Sequence, residues 1–230
     1  MMSRIDKKKN VKKIFDSIAF RYDLLNHLLS FGLDFYWRKK AIQLSEMNER
    51  CVLLDIACGT GDFATAARKV GVKYIFGADL SKNMLDFFTK KSEWISGRTV
   101  QTTAENIPIR NDSVTNITVA FGVRNFYNIP EGFKSFHRVL TKGGKATILE
   151  FRMPSNKFFK SLYKFYFNKI LPLIGGIISG DREAYDYLPS SVEEFDEKIK
   201  LSDLLKKAGF EKVERYDLTL GTVQIIIATK

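Results

Sequence analysis

The sequence predicts an α/β fold in which helices cover both faces of a largely parallel sheet. Two observations lead to this prediction: apolar runs that favour strands alternate with helical patterns, and the first run, residues 52–57, passes straight into a glycine turn and a helix. In addition, glycines follow basic residues at the ends of two later helical patterns, within residues 139–144 and 205–209. With 230 residues, the chain is long enough for one such domain and an appended lid.

The predicted elements alternate along the chain. Strands are predicted at residues 52–57, 74–79, 99–104, 114–120 and 145–150, with residues 212–219 and 222–229 as a closing pair. Helices are predicted between them, around residues 62–69, 82–92, 130–140 and 201–208. We therefore divide the chain into an N-terminal helical extension or substrate lid (1–50), a cofactor-binding α/β core (51–153), an aromatic-rich helical substrate insert (154–199) and a C-terminal helix with the closing strands of the core (200–230).

The chain is strongly basic. Its net charge of +11 favours an anionic partner, either nucleic acid or an acidic membrane surface. The basic run at residues 4–13 is typical of a solvated, frayed arm, and it has no apolar segment of a signal peptide, so we expect the protein in the cytoplasm. Cys51 and Cys58 lack the spacing of a zinc site or a disulfide framework, so we expect neither there.

The most informative motif is the turn Gly59-x-Gly61, which with Asp79 satisfies the fingerprint of a dinucleotide site. In such a site a pyrophosphate lies at the N-terminus of the next helix, where N–H groups and the helix dipole favour negative charge. Asp62 occupies that position. Its carboxylate and that of Asp55 would repel a diphosphate, but they can hold an ammonium group near a sulfonium. The charges therefore favour S-adenosylmethionine, which has both cations and no phosphate.

Ligands of a parallel sheet bind at the carboxyl ends of its strands, so the residues that follow each strand are candidates for cofactor contacts. The turn lets the backbone pass close to the methionine part, and Asp79 can accept hydrogen bonds from both ribose hydroxyls. Thr103 and Ala104 can contact the adenine edge, and Met84 the face of that ring. The predicted cofactor-binding residues are Asp55, Gly59, Thr60, Gly61, Asp79, Met84, Thr103, Ala104 and Ala120.

Three residues have structural alternatives that the sequence leaves open. Asp79 can cap the helix that begins after Ser81. Met84 can simply pack its helix on the sheet. Arg124, which follows the fourth strand, can form a salt bridge with Asp79 or Glu150.

Residues 120–126 read Ala-Phe-Gly-Val-Arg-Asn-Phe. Nucleic-acid methyltransferases that modify exocyclic amines commonly have Asn/Asp-Pro-Pro-aromatic here, and those that modify a pyrimidine carbon use a cysteine. Because the segment has neither, we expect no nucleic acid partner. A non-catalytic RNA-binding protein is disfavoured because the aromatic residues have helical spacings, and a dinucleotide-binding redox domain is disfavoured by Asp62.

Longer segments narrow the interpretation. Residues 15–26, 29–32, 55–62, 120–125 and 149–151, together with 169–175 and 185–188, resemble the menaquinone/ubiquinone C-methyltransferase family over nearly the whole chain. The resemblance implies a class I S-adenosylmethionine-dependent methyltransferase fold, which is Rossmann-like, with an N-terminal helical extension and a helical lid insert. It also implies C-methylation of a polyprenylated hydroquinone, such as demethylmenaquinol or a methoxy-polyprenyl-benzoquinol, in respiratory quinone synthesis. The alternative is a small-molecule O- or N-methyltransferase.

The chain departs from the family pattern in three places. Thr103 stands where members often have Asp or Asn, Thr141 begins a segment that often reads Lys-Pro-Gly-Gly, and residues 224–228 stand where members often have His-Arg-Gly-Tyr. Only His27 and His137 remain as histidines, and neither has a position suited to catalysis.

Carbon methylation requires a nucleophilic ring carbon, which forms when the neighbouring phenol loses its proton. Because a phenol pKa is about 10, the site must stabilise the phenolate or supply a base. We predict Arg124 and Asn125 as the catalytic residues that stabilise the phenolate, and Tyr22 as the residue that orients the ring or relays the proton. The matching segment 185–188 implies Tyr185 and Tyr187 as substrate residues.

The insert interleaves aromatic and aliphatic residues with lysines at positions 157, 160, 164 and 169. These lysines exclude a membrane-spanning helix, which needs about 20 mostly apolar residues. An interfacial or lid helix fits better: its apolar face can line an isoprenoid groove while the lysines meet anionic headgroups at the inner membrane face. The alternative is that this face packs on the sheet or on a second subunit of a homodimer.

Overall fold

The computed structural model of the protein describes residues 22–173 and 182–230, without the side chains of Tyr22, Leu25 and residues 182–187. The basic arm at residues 4–13 therefore lies outside the described residues. So do the side chains of Tyr22, Tyr185 and Tyr187, for which the sequence predicts roles in catalysis and substrate binding.

A seven-stranded sheet forms the centre of the fold. The strands in chain order are β1 (Val52–Ile56), β2 (Tyr74–Asp79), β3 (Thr99–Gln101), β4 (Val114–Ala120), β5 (Leu140–Phe151), β6 (Lys212–Leu218) and β7 (Val223–Thr229). Their spatial order is β3-β2-β1-β4-β5-β7-β6, and only β7 runs antiparallel to its neighbours. Because β1 has β2 on one side and β4 on the other, the chain reverses its direction of winding here, and a crevice forms at the carboxyl ends of these strands.

Helices pack on both faces of this sheet. They are α1 (Tyr22–Leu29), α2 (Leu33–Leu44), α3 (Asp62–Lys69), α4 (Lys82–Lys91), α5 (Ile129–Val139), α6 (Lys157–Phe165), α7 (Arg182–Lys198) and α8 (Leu201–Lys207). A first core cluster contains Phe133 and Phe136 of α5. A second contains Phe63 of α3 and Phe88 of α4. Buried Trp37 of α2 joins the second cluster. The predicted α/β fold with helices on both faces is confirmed.

The third strand is shorter than the sequence predicts. It ends at Gln101, whereas the prediction extended to Ala104. The hydroxyl of Thr102 donates to the carbonyl of Asn106 at 2.7 Å, and the Asn106 N–H donates to the carbonyl of Thr103 at 3.2 Å. These bonds close a turn, so Thr103 and Ala104 lie in a loop at the end of the sheet.

The two predicted helix-ending glycine segments have different outcomes. Gly209 ends α8 as predicted: its φ is +105°, its N–H bonds to the Lys206 carbonyl, and the Phe210 N–H bonds to the Leu205 carbonyl. The other prediction is wrong. Helix α5 ends at Val139, and Gly143 already lies within β5, where its N–H bonds to the Lys230 carbonyl at 2.7 Å.

The insert is helical over its described residues. Helix α6 continues into a π-turn at Tyr166–Ile170, and α7 follows residue 181. Helix α6 has no buried residue. Among the helices of the described segments, none combines the length and apolar character that crossing a membrane requires.

Candidate active site

Two adjoining cavities lie at the carboxyl ends of β1, β2 and β4. The larger has about 750 Å³ of empty space up to its open mouth, and the smaller has about 360 Å³. Both are lined by Ala57, Gly59, Ala120 and Phe121, so they form one groove. Of the residues predicted to bind the cofactor, Asp79, Met84, Thr103 and Ala104 line the larger cavity, Asp55 and Thr60 line the smaller, and Gly59 and Ala120 line both.

Gly61 is the one predicted cofactor residue that lines neither cavity. Its φ is +85°, and a Cβ added there would lie 2.1 Å from the ring of Phe88. This glycine therefore lets α4 pack against the turn, which is a structural reason for the motif. Gly59 has a φ of +54° and keeps its predicted place at the floor of the groove.

Asp79 fastens the glycine turn to the end of β2. One carboxylate oxygen accepts from the Gly59 N–H and the other from the Ser81 N–H, both at 2.8 Å. The cap of α4 is Ser81, whose hydroxyl oxygen accepts from the Met84 N–H at 3.1 Å, so the alternative that Asp79 is the cap is wrong. Since a carboxylate oxygen can accept more than one bond, Asp79 retains acceptor capacity toward the larger cavity.

Met84 has both of the roles that the sequence left open. It lines the larger cavity and also packs, fully buried, with Met153 and Phe167. Tyr127 also lines this cavity and was not predicted from the sequence. Burial and the neighbouring Glu105 raise the pKa of Tyr127 to about 12, so its phenol is neutral at physiological pH.

Asp55 is the buried carboxylate of the smaller cavity. Its Oδ1 accepts from the Thr118 hydroxyl at 2.6 Å, because Asp55 and Thr118 are register partners in β1 and β4. Its Oδ2 is buried and has no hydrogen-bond partner among the described residues. Burial raises the pKa of Asp55 to about 7.

Arg38 lines the same cavity and was not predicted from the sequence. Its guanidinium is buried, donates through Nη1 to Asp34, and lies 3.5 Å from Asp62 through Nη2. Its Nε is buried without a hydrogen-bond partner in the described chain. The residues that line the smaller cavity thus include a carboxylate and a guanidinium, and these opposite charges suit the ammonium and carboxylate groups of an α-amino acid.

Asp62 is already neutralised by neighbouring cations. These cations are Lys91, whose Nζ lies 2.9 Å from the carboxylate, and Arg38, whose Nη2 lies 3.5 Å from it; Nε2 of the His27 ring lies 3.8 Å away. The sequence argument that Asp62 itself repels a diphosphate is weakened by this pairing. Among the described acids, Asp55 is the one with a buried oxygen that has no hydrogen-bond partner, although the nearby Ala64 N–H also favours its charged form.

Helix α1 closes over the glycine turn. The Thr60 hydroxyl donates to Asp23, and Lys91 Nζ donates to the other Asp23 oxygen at 2.7 Å. The backbone of Tyr22 is therefore adjacent to the turn, as the predicted lid requires.

Arg124 follows β4 in a short 3₁₀ turn, Val123–Asn125. Its Nη1 lies 2.8 Å from a carboxylate oxygen of fully buried Glu150 and also donates to the Phe121 carbonyl. The salt bridge to Glu150, one of the two open alternatives, is thus confirmed. Asn125 lines the larger cavity beside it.

The same fold occurs in solved methyltransferase structures. A SAM-dependent methyltransferase from Thermotoga maritima, described as a possible histamine N-methyltransferase, matches with a TM-score of 0.65 and 18% identity over 95% of this chain and 99% of that one. A putative S-adenosyl-L-methionine-dependent methyltransferase from Methanococcus maripaludis matches with a TM-score of 0.64 and 20% identity over 94% of both chains. At these identities the likeness supports the fold alone.

Sequence relatives extend over the whole chain. The demethylmenaquinone methyltransferase of Chlorobaculum parvum is 41% identical over 227 residues, which cover 97% of this chain and 93% of the relative. The ubiquinone/menaquinone biosynthesis C-methyltransferase UbiE of Geotalea uraniireducens is 39% identical over the full length of both. A family model matches residues 2–230, and the chain therefore belongs to the ubiE/COQ5 methyltransferase family.

Proposed function

We propose that this chain transfers a methyl group from S-adenosylmethionine to a ring carbon of a polyprenylated hydroquinone, demethylmenaquinol being the first candidate. The names of the full-length relatives support the reaction class and the quinone substrate. The observation that carries the cofactor assignment is the pair of unsatisfied buried atoms, Asp55 Oδ2 and Arg38 Nε, in the smaller cavity.

The residues present fit the cofactor part by part. Asp55 would accept from the ammonium group of the methionine part, and Arg38 would donate to its carboxylate. Asp79 would accept from the ribose hydroxyls, while Met84 and the Thr103–Ala104 loop would enclose the adenine in the larger cavity. When bound, the cofactor supplies an electrophilic methyl group.

The chain's own contribution to the chemistry is charge stabilisation at the mouth of the larger cavity. Asn125 lines that cavity, and Arg124, the residue before it, is held by Glu150 and is not among the residues that line either cavity. A cation and an amide donor there would stabilise the phenolate that makes the ring carbon nucleophilic, and the phenol proton would leave to water. Tyr22 remains our candidate for orienting the ring, and Tyr185 and Tyr187 for contacting the substrate.

The test is a transfer assay with cofactor that carries a ¹³C-methyl group, using reduced demethylmenaquinone and a reduced methoxy-polyprenyl-benzoquinone in parallel. We expect the label on a ring carbon of at least the naphthoquinol, identified by its ¹³C chemical shift. A methoxy signal instead would overturn C-methylation in favour of O-methylation. If calorimetry detects cofactor binding while neither quinol is labelled, the substrate assignment is wrong and the cofactor assignment stands.

A further inference from the structure

Two rows of exposed apolar side chains lie on separate helical segments. In α1 and the turn after it, Leu24, Leu28 and Phe31 are 48–79% exposed. In α6, Phe158, Leu162 and Phe165 are 57–73% exposed. Phe158, Leu162 and Phe165 have the spacing i, i+4, i+7, which places them on one face of α6, and Leu24 and Leu28 are i and i+4 on α1, with Phe31 in the turn that follows it. Both segments therefore expose apolar side chains at positions where a helix in water would expose polar side chains.

The segments that carry the two rows meet through Tyr166, which follows α6. The Tyr166 hydroxyl donates to the Leu29 carbonyl at 2.6 Å, and the Tyr166 ring centre lies 5.9 Å from that of Phe31. Leu162 lies one helical turn before Tyr166. We call the two rows together the apolar face.

Exposed apolar side chains are concentrated around this face. Among the described residues, ten of the fourteen large apolar side chains that are exposed lie within residues 22–44 and 157–173. Scattered exposed apolar residues are normal on a monomer, but a concentration of this kind marks an interaction surface.

The positive charge of the insert indicates which kind of partner the apolar face binds. Residues 154–173 contain four lysines and no Asp or Glu. Lys164 pairs with Glu193, whereas Lys157, Lys160 and Lys169 form no ion pair with any described carboxylate. Apolar side chains flanked by unpaired lysines match the interface of an anionic bilayer, which offers acyl chains beside phosphate groups. A two-fold dimer through the same face would bring together two copies of a segment that has lysines and no Asp or Glu to pair with them, which costs electrostatic energy.

The apolar face also lies above the groove. The inner side of α1 bonds to the glycine turn through Asp23 and Thr60. Met84, which lines the larger cavity, packs in one cluster with Phe167, Leu29 and Tyr166. A surface that binds lipid at this position would place the groove directly over the membrane; its value for a polyprenylated substrate rests on the proposed function.

We propose that the apolar face docks the protein peripherally on an anionic lipid bilayer, with both rows inserted at the level of the headgroups. Helix α1 and the turn after it share this role with the insert, because they supply three of the six side chains of the apolar face.

The test is flotation of the full-length protein, without quinol, with phosphatidylcholine vesicles and with vesicles that also contain phosphatidylglycerol. We expect binding to the mixed vesicles. The triple variant Phe158→Ser/Leu162→Ser/Phe165→Ser and the double variant Leu28→Ser/Phe31→Ser should each weaken it by about tenfold or more. The matched control is Tyr74→Ser. Tyr74 is 58% exposed but begins β2, so it lies at the amino ends of the parallel strands, away from the groove. Its replacement should leave vesicle binding unchanged.

Circular dichroism spectra and thermal unfolding check that each variant is folded. Full vesicle binding by both folded variants would overturn the proposal. The proposal would also be overturned if the wild-type protein did not bind vesicles and instead formed a dimer that either variant dissociates. The apolar face would then bind a second copy of the chain. An effect of the α6 variant alone would refute the shared role of α1. Because no methyl transfer is measured, these outcomes are independent of the proposed function.

Discussion

Asp55 and Thr118 face each other across β1 and β4, and the Thr118 hydroxyl donates to Asp55 Oδ1 at 2.6 Å while Oδ2 lacks a partner among the described residues. The bond fixes the rotamer of a carboxylate that burial alone would leave protonated. The bond therefore holds in place a carboxylate whose residue lines the smaller cavity together with Arg38.

Asp55→Asn should weaken S-adenosylmethionine binding by about 10- to 100-fold, because a hydrogen bond to a charged group contributes about 1.5–3 kcal/mol. The measurement is the dissociation constant from calorimetry. The nearly isosteric Thr118→Val leaves the carboxylate in place but removes its orienting hydroxyl, so we expect a smaller loss of affinity. If Asp55→Asn binds the cofactor as tightly as the wild type, Asp55 does not hold the ammonium group.

Cofactor affinity should rise with pH through the titration of Asp55. Because burial raises its pKa to about 7, the carboxyl is mostly protonated at pH 6, and it must lose that proton before it can pair with an ammonium group. Below this pKa we expect affinity to improve by up to about tenfold per pH unit. Calorimetry at pH 6 and 7.5, in two buffers of different ionisation enthalpy, measures the affinity and the released proton.

The raised pKa of Asp55 also makes the free energy of unfolding depend on pH, in the direction opposite to that of cofactor affinity. The folded state holds the Asp55 proton more tightly than the unfolded state, whose carboxyl has its ordinary pKa of 3.8. This contribution to the free energy of unfolding is fully present below that value and is lost as pH rises through about 7. Asp55→Asn should remove both pH dependences, and a variant that retains them would show that another group titrates.

The sequence located the strands and most of the groove because both depend on local patterns. Apolar runs set the strands, and the residues after a parallel strand lie at one edge whatever the detailed packing. Even the Arg124–Glu150 pair could be anticipated, since β4 and β5 end side by side. What could not be predicted depends on tertiary contacts. Arg38 is 17 positions before Asp55 in the sequence and reaches the groove only because α2 packs on the core through Trp37.

Gly61 is a second position whose role depends on a tertiary contact that the sequence does not predict. The motif predicted that its missing side chain makes room for the cofactor, whereas the structure places the ring of Phe88 there. Phe88 is 27 positions later in the sequence, so nothing in the local motif indicates this contact. Likewise, the glycines near residue 143 resemble a helix end, but the strand begins earlier because Leu140 already pairs with Val114.

Arg124→Lys should lower kcat by about 100-fold or more while changing the cofactor dissociation constant by less than about threefold. The reason is that an ammonium group lacks the planar fork that bonds Glu150 and the Phe121 carbonyl and that, under the proposed function, would also stabilise the oxyanion. Turnover is measured with the quinol, and binding by calorimetry. Equal losses in kcat and cofactor affinity would place Arg124 in cofactor binding, contrary to the catalytic assignment.

Gly61→Ala should destabilise the protein by about 2–5 kcal/mol, because it adds left-handed backbone strain to a steric clash with Phe88. Gly97→Ala is the matched control. Gly97 also has a positive φ, +71°, but a Cβ there would meet no described atom within 4 Å, so only the strain of about 1 kcal/mol remains. Urea unfolding measures both. In a background that carries Phe88→Ala, the loss of unfolding free energy caused by Gly61→Ala should fall to the loss caused by Gly97→Ala. If it does not, the ring of Phe88 is not what requires a glycine at this position.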